Sequence, residues 1–350
     1  VLKELTLKLA EVKSLSDAEI SVAVKELTDE TASTESKAAF LTALACRGET
    51  PLEVAAFAKA LREMAVPVPL DVKTRNSEIL DVVGTGGDRL STFNISTTVA
   101  LVAASAGIFV AKHGNRAVTS LTGSADVIES LGIRLDLTPK EAADSLKEHH
   151  FAFFFAPRYH PAFKNIVGAR KLCAERGQRT IFNILGPLLN PVRPTAHLIG
   201  VPTPAMCEPF ASVLQSLGAR RAMVVAGAAK KEDGKDVYLD ELSTLGENYI
   251  AEFYRENALA TCTLDPKRFA IQTACLADLR GGDRVVNANI IRQIIEGKDK
   301  GPKRDIVLLN AAAALMVGGK CKTLSDGWKM AVELLSSGAV VDKLKELAKN

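Results

Sequence analysis

Long apolar runs are missing from this chain: nothing approaches the roughly 20 consecutive apolar residues that a membrane-spanning helix needs. Its first residues alternate Lys and Glu with Leu and hold no apolar stretch of a secretory signal. A cytoplasmic protein with no membrane partner is expected. An excess of charge is missing too. Lys and Arg number 44 against 41 Asp and Glu, a net +3, too mild for a nucleic-acid surface across the molecule, so no nucleic-acid partner is expected. Cysteine occurs six times, at 46, 173, 207, 262, 275 and 321, without CxxC and without Cys/His at zinc spacing. That pattern excludes a zinc ribbon or a disulfide framework and suits small buried residues in a reducing compartment.

What is present is an ordinary globular composition, 47% apolar and 24% charged over 350 residues, long enough for about two domains. Residues 1 to about 65 read as helices only. Ser16 with Glu19 makes a capping box ahead of Ile20, Val22, Val24 and Leu27; a second helix starts near Ser33 and stops at Gly48; Thr50-Pro51-Leu52-Glu53 opens a third. Pro67 and Pro69 then suggest a hinge. From Glu78 short β-rich runs alternate with helical ones: Ile79–Val83 then Ile95–Ala106, Phe109–Ala111 then Ala125–Leu131, Arg134–Leu137 then Lys140–His149, Phe151–Ala156, and later His197–Val201, Ala205–Leu217 and Ala222–Ala226. Such alternation predicts βαβ units and a parallel sheet. Residues 281–347 read as helical, and the Lys-rich run within Ala229–Asp236 as a solvated loop.

The strongest local signal is Asp81-Val82-Val83-Gly84-Thr85-Gly86-Gly87-Asp88, followed by Ser91-Thr92-Phe93-Asn94-Ile95-Ser96-Thr97. A strand runs into three glycines and a helix opens behind them. Glycines let backbone N–H groups approach an anion closely, and a helix N-terminus adds unpaired donors. A dinucleotide fingerprint would need glycine where Arg89 stands, and a Walker loop would need Gly-Lys-Ser/Thr. The residues alone leave open a plain structural turn. The next strand ends in Lys112-His113-Gly114-Asn115-Arg116, and parallel strands put such ends on one sheet edge, which would place Lys112 and Arg116 beside the glycine loop. Gly123-Ser124-Ala125-Asp126 opens a further helix there. Asp240-Glu241 follows another strand; adjacent acids are commonly solvated surface, but a polyphosphate site needs hard oxygen ligands for Mg²⁺, and Ser96 could add a hydroxyl.

These motifs, with Arg179-Thr180-Ile181-Phe182-Asn183-Ile184-Leu185-Gly186-Pro187-Leu188-Leu189-Asn190-Pro191 between them, resemble the anthranilate phosphoribosyltransferases in order and over nearly the whole chain. The resemblance implies an α/β fold: a small all-helical N-terminal domain (1–72, completed by a helical segment near 160–192) and a larger α/β domain (73–350) with a mostly parallel central sheet. It implies a homodimer, small-molecule substrates and Mg²⁺, two ions per active site. Phosphoribosyl pyrophosphate would contact Gly84, Gly87, Asp88, Thr92, Asn94, Ile95, Ser96, Thr97, Lys112, His113, Gly114, Asn115, Arg116, Ala117, Val118, Thr119, Ser120 and Ser124. Anthranilate would contact Gly84, Asn115 and Arg170, and the metal would be held by Ser96, Asp240 and Glu241. No side chain is implied as general acid or base, since an aromatic amine is already neutral at pH 7; positioning and leaving-group electrostatics would supply the rate.

The chain departs from the family's pattern in places. Arg89 stands where relatives commonly carry glycine. Gly168-Ala169-Arg170 replaces the usual Pro-Val-Arg, with nine positions instead of six between Arg170 and Arg179. Ala226-Gly227 replaces His-Gly, and the loop before Asp240 is longer. Rival readings are a pyrimidine nucleoside phosphorylase, which would use phosphate and no magnesium pair; a phosphoribosyltransferase for a related aromatic amine; a Rossmann-like phosphoribosyltransferase, to which the glycine loop is foreign; and a non-enzymatic nucleic-acid-binding relative, which would need a basic groove.

Overall fold

The computed structural model describes residues 1–117, 122–255 and 258–349; the expected contacts Val118, Thr119 and Ser120 lie outside the described residues. The chain opens with the helices Leu2–Ala10, Asp17–Thr28, Thr34–Arg47 and Pro51–Glu63. Both expected capping boxes form. Ser16 Oγ accepts from the Glu19 N–H while the Glu19 carboxylate accepts from the Ser16 N–H, and Thr50 with Glu53 repeats the exchange. Gly48, at φ 88°, ends the third helix where a side chain would be strained. Leu9, Ile20, Leu27, Phe40, Leu44, Phe57 and Leu61 bury their side chains in one core, which also takes Ile166, Ala169, Cys173, Ile181 and Leu185. The segment near 160–192 therefore packs with the N-terminal helices. Buried Lys37 ties the two together through hydrogen bonds to the carbonyls of Asp29 and Asn165 (2.5 and 2.9 Å).

The sheet holds eight strands among the described residues, in the order β3-β2-β1-β4-β5-β7-β8, with β6 also on β5. They are β1 (Ile79–Gly84), β2 (Phe109–Gly114), β3 (Phe151–Phe155), β4 (Ala196–Gly200), β5 (Arg221–Lys230), β6 (Asp236–Leu239), β7 (Asn248–Tyr254) and β8 (Ala260–Leu264). The first five pair in parallel and the last three antiparallel. One expected strand is absent: 134–137 has the alternation of a strand, but β3 takes the place beside β2, so this segment stays in the crossover with no ladder to join. The strands β7 and β8 were not anticipated. The Lys-rich run is the turn between β5 and β6, closed by the Lys231 N–H on the Lys235 carbonyl (2.9 Å).

On one face the helices Ile95–Ser105 and Pro302–Val317 pack together, and Ala311 to Ala314 are fully buried, the pattern of a helix apolar all round. Three of the parallel strands, β1, β2 and β4, end in glycine (84, 114 and 200) on the same edge of the sheet. That edge is where an open parallel sheet offers its crevice to ligands.

Candidate active site

The segment Asp240–Ser243 crosses this edge, over the ends of β1, β4 and β5, and the glycines make room for it. A Cβ at Gly84 would fall 2.7 Å from Asp240 Oδ2, one at Gly200 1.5 Å from the Asp240 carbonyl oxygen, and one at Gly227 2.5 Å from Ser243 N. Two buried asparagines hold the segment by its backbone. Asn310 accepts from the Leu242 N–H and donates to the Leu242 carbonyl (2.9 and 2.8 Å), and Asn248 does the same for Ser243 (2.6 and 2.9 Å). The acids are thereby folded onto the glycine loop. Asp240 Oδ2 accepts from the Gly86 N–H at 2.5 Å and from Thr85 Oγ1 at 3.3 Å, while the Asp240 N–H donates to Asp88 Oδ2 at 3.3 Å.

Two buried carboxylates, Asp240 and Glu241, thus lie beside that of half-buried Asp88. Burial, then the charges of Asp88 and Glu241, push Asp240 well above the usual carboxylate range. Glu241 is pushed up to about 8, mainly by burial, against the opposing pull of Lys112. Lys112, 1% exposed, donates to the Val82 carbonyl (2.6 Å) and to Ser96 Oγ (3.2 Å). Burial lowers its pKa, and Asp81 and Glu241 work against that. Asp81 is itself raised to about 6 by burial; Asn190 donates to it at 2.8 Å and to the Ala111 carbonyl at 2.7 Å, bridging β1 and β2.

Two of the other expected contacts are engaged with partners of their own. Arg116 does not point freely at the glycine loop: its guanidinium pairs with Asp126 (2.9 Å) and Glu129 (3.0 Å). The helix Ser124–Ser130 already carries Asp126 in its first turn, accepting from the N–H groups of Ala117 and Gly123, so its terminus is not an open anion site. Gly114 is required because a Cβ there would lie 2.1 Å from Ser124 Oγ. Arg89 and Ser91 take φ of 56° and 55°, a left-handed conformation that strains any side chain and that glycine would adopt freely. Thr92 bridges to Arg280, and the Phe93 N–H reaches the Leu279 carbonyl (3.1 Å), strapping the loop to the 279–287 segment.

A wall of rings runs from this edge to Arg170. His113 meets His160 edge-on (5.5 Å), His160 stacks on Phe163 (4.9 Å), Phe163 meets Phe182 edge-on (5.8 Å), and the Arg170 guanidinium lies 5.7 Å over Phe182. Burial first, then the neighbouring His160, drives His113 down to about 3, so it is neutral at pH 7. The altered Gly168-Ala169 has a packing reason. Ala169 is buried, and a Cβ at Gly168 would approach Thr34 to 3.2 Å, on the helix Thr34–Arg47. The extra residues before Arg179 are absorbed by the end of the helix Val167–Glu175 and the turn at Gly177 (φ 70°).

Comparisons with known proteins give the family. Residues 3–65 match the glycosyl transferase family helical bundle domain and residues 76–341 the glycosyl transferase family a/b domain. The anthranilate phosphoribosyltransferase of Geobacter sulfurreducens is 42% identical over 99% of this chain and 98% of its own. The chain belongs to the anthranilate phosphoribosyltransferase family. Among solved family members, the Thermus thermophilus enzyme superposes with a TM-score of 0.87 at 38% identity, covering 99% of this chain and 98% of that one. The Saccharomyces cerevisiae enzyme in complex with PRPP and Mg gives 0.85 at 27% identity, covering 99% and 97%. The family architecture, a helical bundle followed by an α/β domain with a mostly parallel sheet, is the one described above.

Family membership raises the question of a metal. Among the described residues no group of three or more His, Cys, Asp or Glu is set to hold an ion unaided. Mg²⁺ uses one or two carboxylates together with substrate oxygens and waters, and the donor set fits that habit. Asp240 and Glu241 are hard oxygen donors, buried, and drawn toward protons first by that burial and then by neighbouring carboxylates. The Ser96 hydroxyl accepts from Lys112, the ammonium whose charge also acts on Glu241. Reading the sequence missed Gly200, Gly227, Asn248 and Asn310. Nothing local marks them, because their partner is a backbone segment that arrives from elsewhere in the chain.

Proposed function

We propose that this family member transfers the phosphoribosyl group of phosphoribosyl pyrophosphate to the amine of anthranilate, giving N-(5-phosphoribosyl)anthranilate and pyrophosphate, a step of tryptophan biosynthesis. The observation that carries the proposal is the meeting of Asp240 and Glu241 with the glycine loop and Lys112 on one sheet edge. In this reading the loop from Gly84 through Gly87 to Asp88 and Thr92, the helix start Asn94–Thr97, and Lys112, His113, Gly114, Asn115, Arg116, Ala117 and Ser124 surround the phosphoribosyl donor. Ser96, Asp240 and Glu241 hold Mg²⁺, two ions per site. When bound, the metal supplies charge neutralisation on the departing pyrophosphate.

The chain's own groups do the rest. The glycine loop lets the anion approach closely, and the helix start at Asn94–Thr97 and the Lys112 ammonium fix it. The ring wall ending at Arg170 takes a flat aromatic acid, with its carboxylate on the guanidinium and its amine toward Gly84 and Asn115. No residue need remove a proton before attack, and neutral His113 adds no competing charge to the acceptor side. The reading also takes the protein as a cytoplasmic homodimer and divides the chain at 72/73, with the helices near 160–192 returned to the small domain.

Loss of anthranilate fluorescence with phosphoribosyl pyrophosphate tests the activity directly. The signal is expected only with Mg²⁺ present. Release of free base from a pyrimidine nucleoside and phosphate, without metal and without anthranilate turnover, would select the phosphorylase reading instead.

A further inference from the structure

Asn94 opens the helix Ile95–Ser105, yet its side chain makes no hydrogen bond to the N–H groups of the first turn, the service an asparagine at that place ordinarily performs. Its carboxamide oxygen instead accepts from Nδ2 of Asn287, 2.9 Å away and 193 positions along the chain. One fixed group decides how both amides lie. The backbone N–H of Gly282 can only donate, and it sits 2.7 Å from Asn287 Oδ1. An oxygen must therefore occupy that place, Asn287 Nδ2 must face Asn94, and the Asn94 NH₂ must turn away from Asn287.

The surroundings are built for this contact. Asn287 is 2% exposed, on the first turn of the helix Arg284–Ile295, whose N-cap is Asp283. Gly281 lets it approach: a Cβ there would lie 2.6 Å from Asn287 Oδ1 and 2.7 Å from Phe93 Cα. The Asn94 NH₂ makes no hydrogen bond among the described residues, and Asn94 is only half-buried, so the donor is open to a ligand. Turned over, Asn94 would offer oxygen lone pairs to a phosphate and repel it.

We infer that Asn287 is a positioning residue that sets the Asn94 carboxamide as a donor toward the phosphoribosyl pyrophosphate and keeps its oxygen off the helix's first-turn N–H groups. The inference rests on the proposed reading of Asn94 as a contact of that substrate. The decisive variant is Asn287→Asp, which keeps the acceptor for Gly282 and nearly the same volume but sets an oxygen against Asn94 Oδ1. Calorimetry with phosphoribosyl pyrophosphate and Mg²⁺ is expected to show binding weakened roughly 10- to 100-fold, with the anthranilate KM nearly unchanged. Asn287→Ala, which lets Asn94 adopt either orientation, is expected to weaken binding less than Asn287→Asp. A purely structural role predicts the reverse order. In an Asn94→Ala background, Asn287→Asp is expected to add less than about twofold. If Asn287→Asp fails to fold, Asn287→Ala with Asn94→Ala completes the same cycle. Wild-type affinity in Asn287→Asp alongside weakened Asn94→Ala, or additive effects of the two, overturns the inference and leaves the functional reading standing. Wild-type affinity in Asn94→Ala removes Asn94 from the substrate site and the inference with it.

Discussion

Gly200 and Asp240 approach so closely that a methyl group on the one would lie 1.5 Å from the carbonyl oxygen of the other. The end of β4 is therefore the floor on which the acidic segment rests. Gly200→Ala must displace that segment, because a backbone oxygen cannot swing aside as a flexible side chain can. The variant is expected to keep the family fold with a stability loss of about 1–3 kcal/mol and to need far more Mg²⁺ for half-maximal turnover. Thermal melts with a Mg²⁺ titration of the rate check it; an unchanged Mg²⁺ requirement would mean the segment's position is immaterial.

Replacing both acids, Asp240→Asn with Glu241→Gln, is expected to abolish turnover yet raise the melting temperature measured without metal above pH 8. The sign follows from the raised pKa values. A carboxyl whose folded pKa lies above its unfolded value stabilises fully below the unfolded value, and that contribution is lost as pH rises through the folded one, about 8 for Glu241. Neutral amides escape that loss. Wild-type rates in the double variant would remove the metal assignment.

Because Glu241 holds a proton to about pH 8, Mg²⁺ taken up with the substrate should release protons near pH 7 and release progressively fewer above pH 8. Calorimetry in buffers of different ionisation enthalpy reads that number. Equal heats in all buffers at pH 7 would show that Glu241 is already ionised in the metal-free protein.

Arg170→Ala is expected to raise the KM for anthranilate about tenfold or more, with that for phosphoribosyl pyrophosphate nearly unchanged, since it removes a carboxylate partner formed on substrate binding. Steady-state kinetics with each substrate varied in turn decide this. A rise confined to phosphoribosyl pyrophosphate would relocate the acceptor pocket.

Acid should unfold the protein through its buried imidazoles. Burial holds His113 and His197 down to about 3, so each favours the neutral folded form. That contribution is full above the ordinary value of 6.5 and is lost as pH falls from 6.5 toward 3, several kcal/mol in all. Urea midpoints across this range should fall steeply, and His197→Gln should flatten the fall.

Local chemistry was legible from the sequence wherever cause and effect lie within a few residues. The capping boxes at Ser16 and Thr50, the stop at Gly48, the glycine loop after β1 and the strand–helix alternation each follow from hydrogen bonds or backbone freedom over three to ten positions. The 134–137 segment was misread because alternation describes a face and supplies no neighbouring strand; β3 occupied the edge it would have needed. Asn248 and Asn310 were invisible for a related reason: each reads a peptide group, which has no sequence identity to match, and the partner of Asn287, Asn94, lies 193 positions away.

The sequence by itself determined most of the elements, the glycine loop and the set of acids available to it. Tertiary structure alone decided that Asp240, 154 positions from Gly86, would accept its N–H; that Lys112 would lie buried beside Ser96; and that Arg116 would turn to Asp126 and Glu129. The reason is physical: spacing along the chain governs which groups can bond within an element, whereas the charge, burial and pKa of a site depend on which distant groups the packed sheet edge forces together.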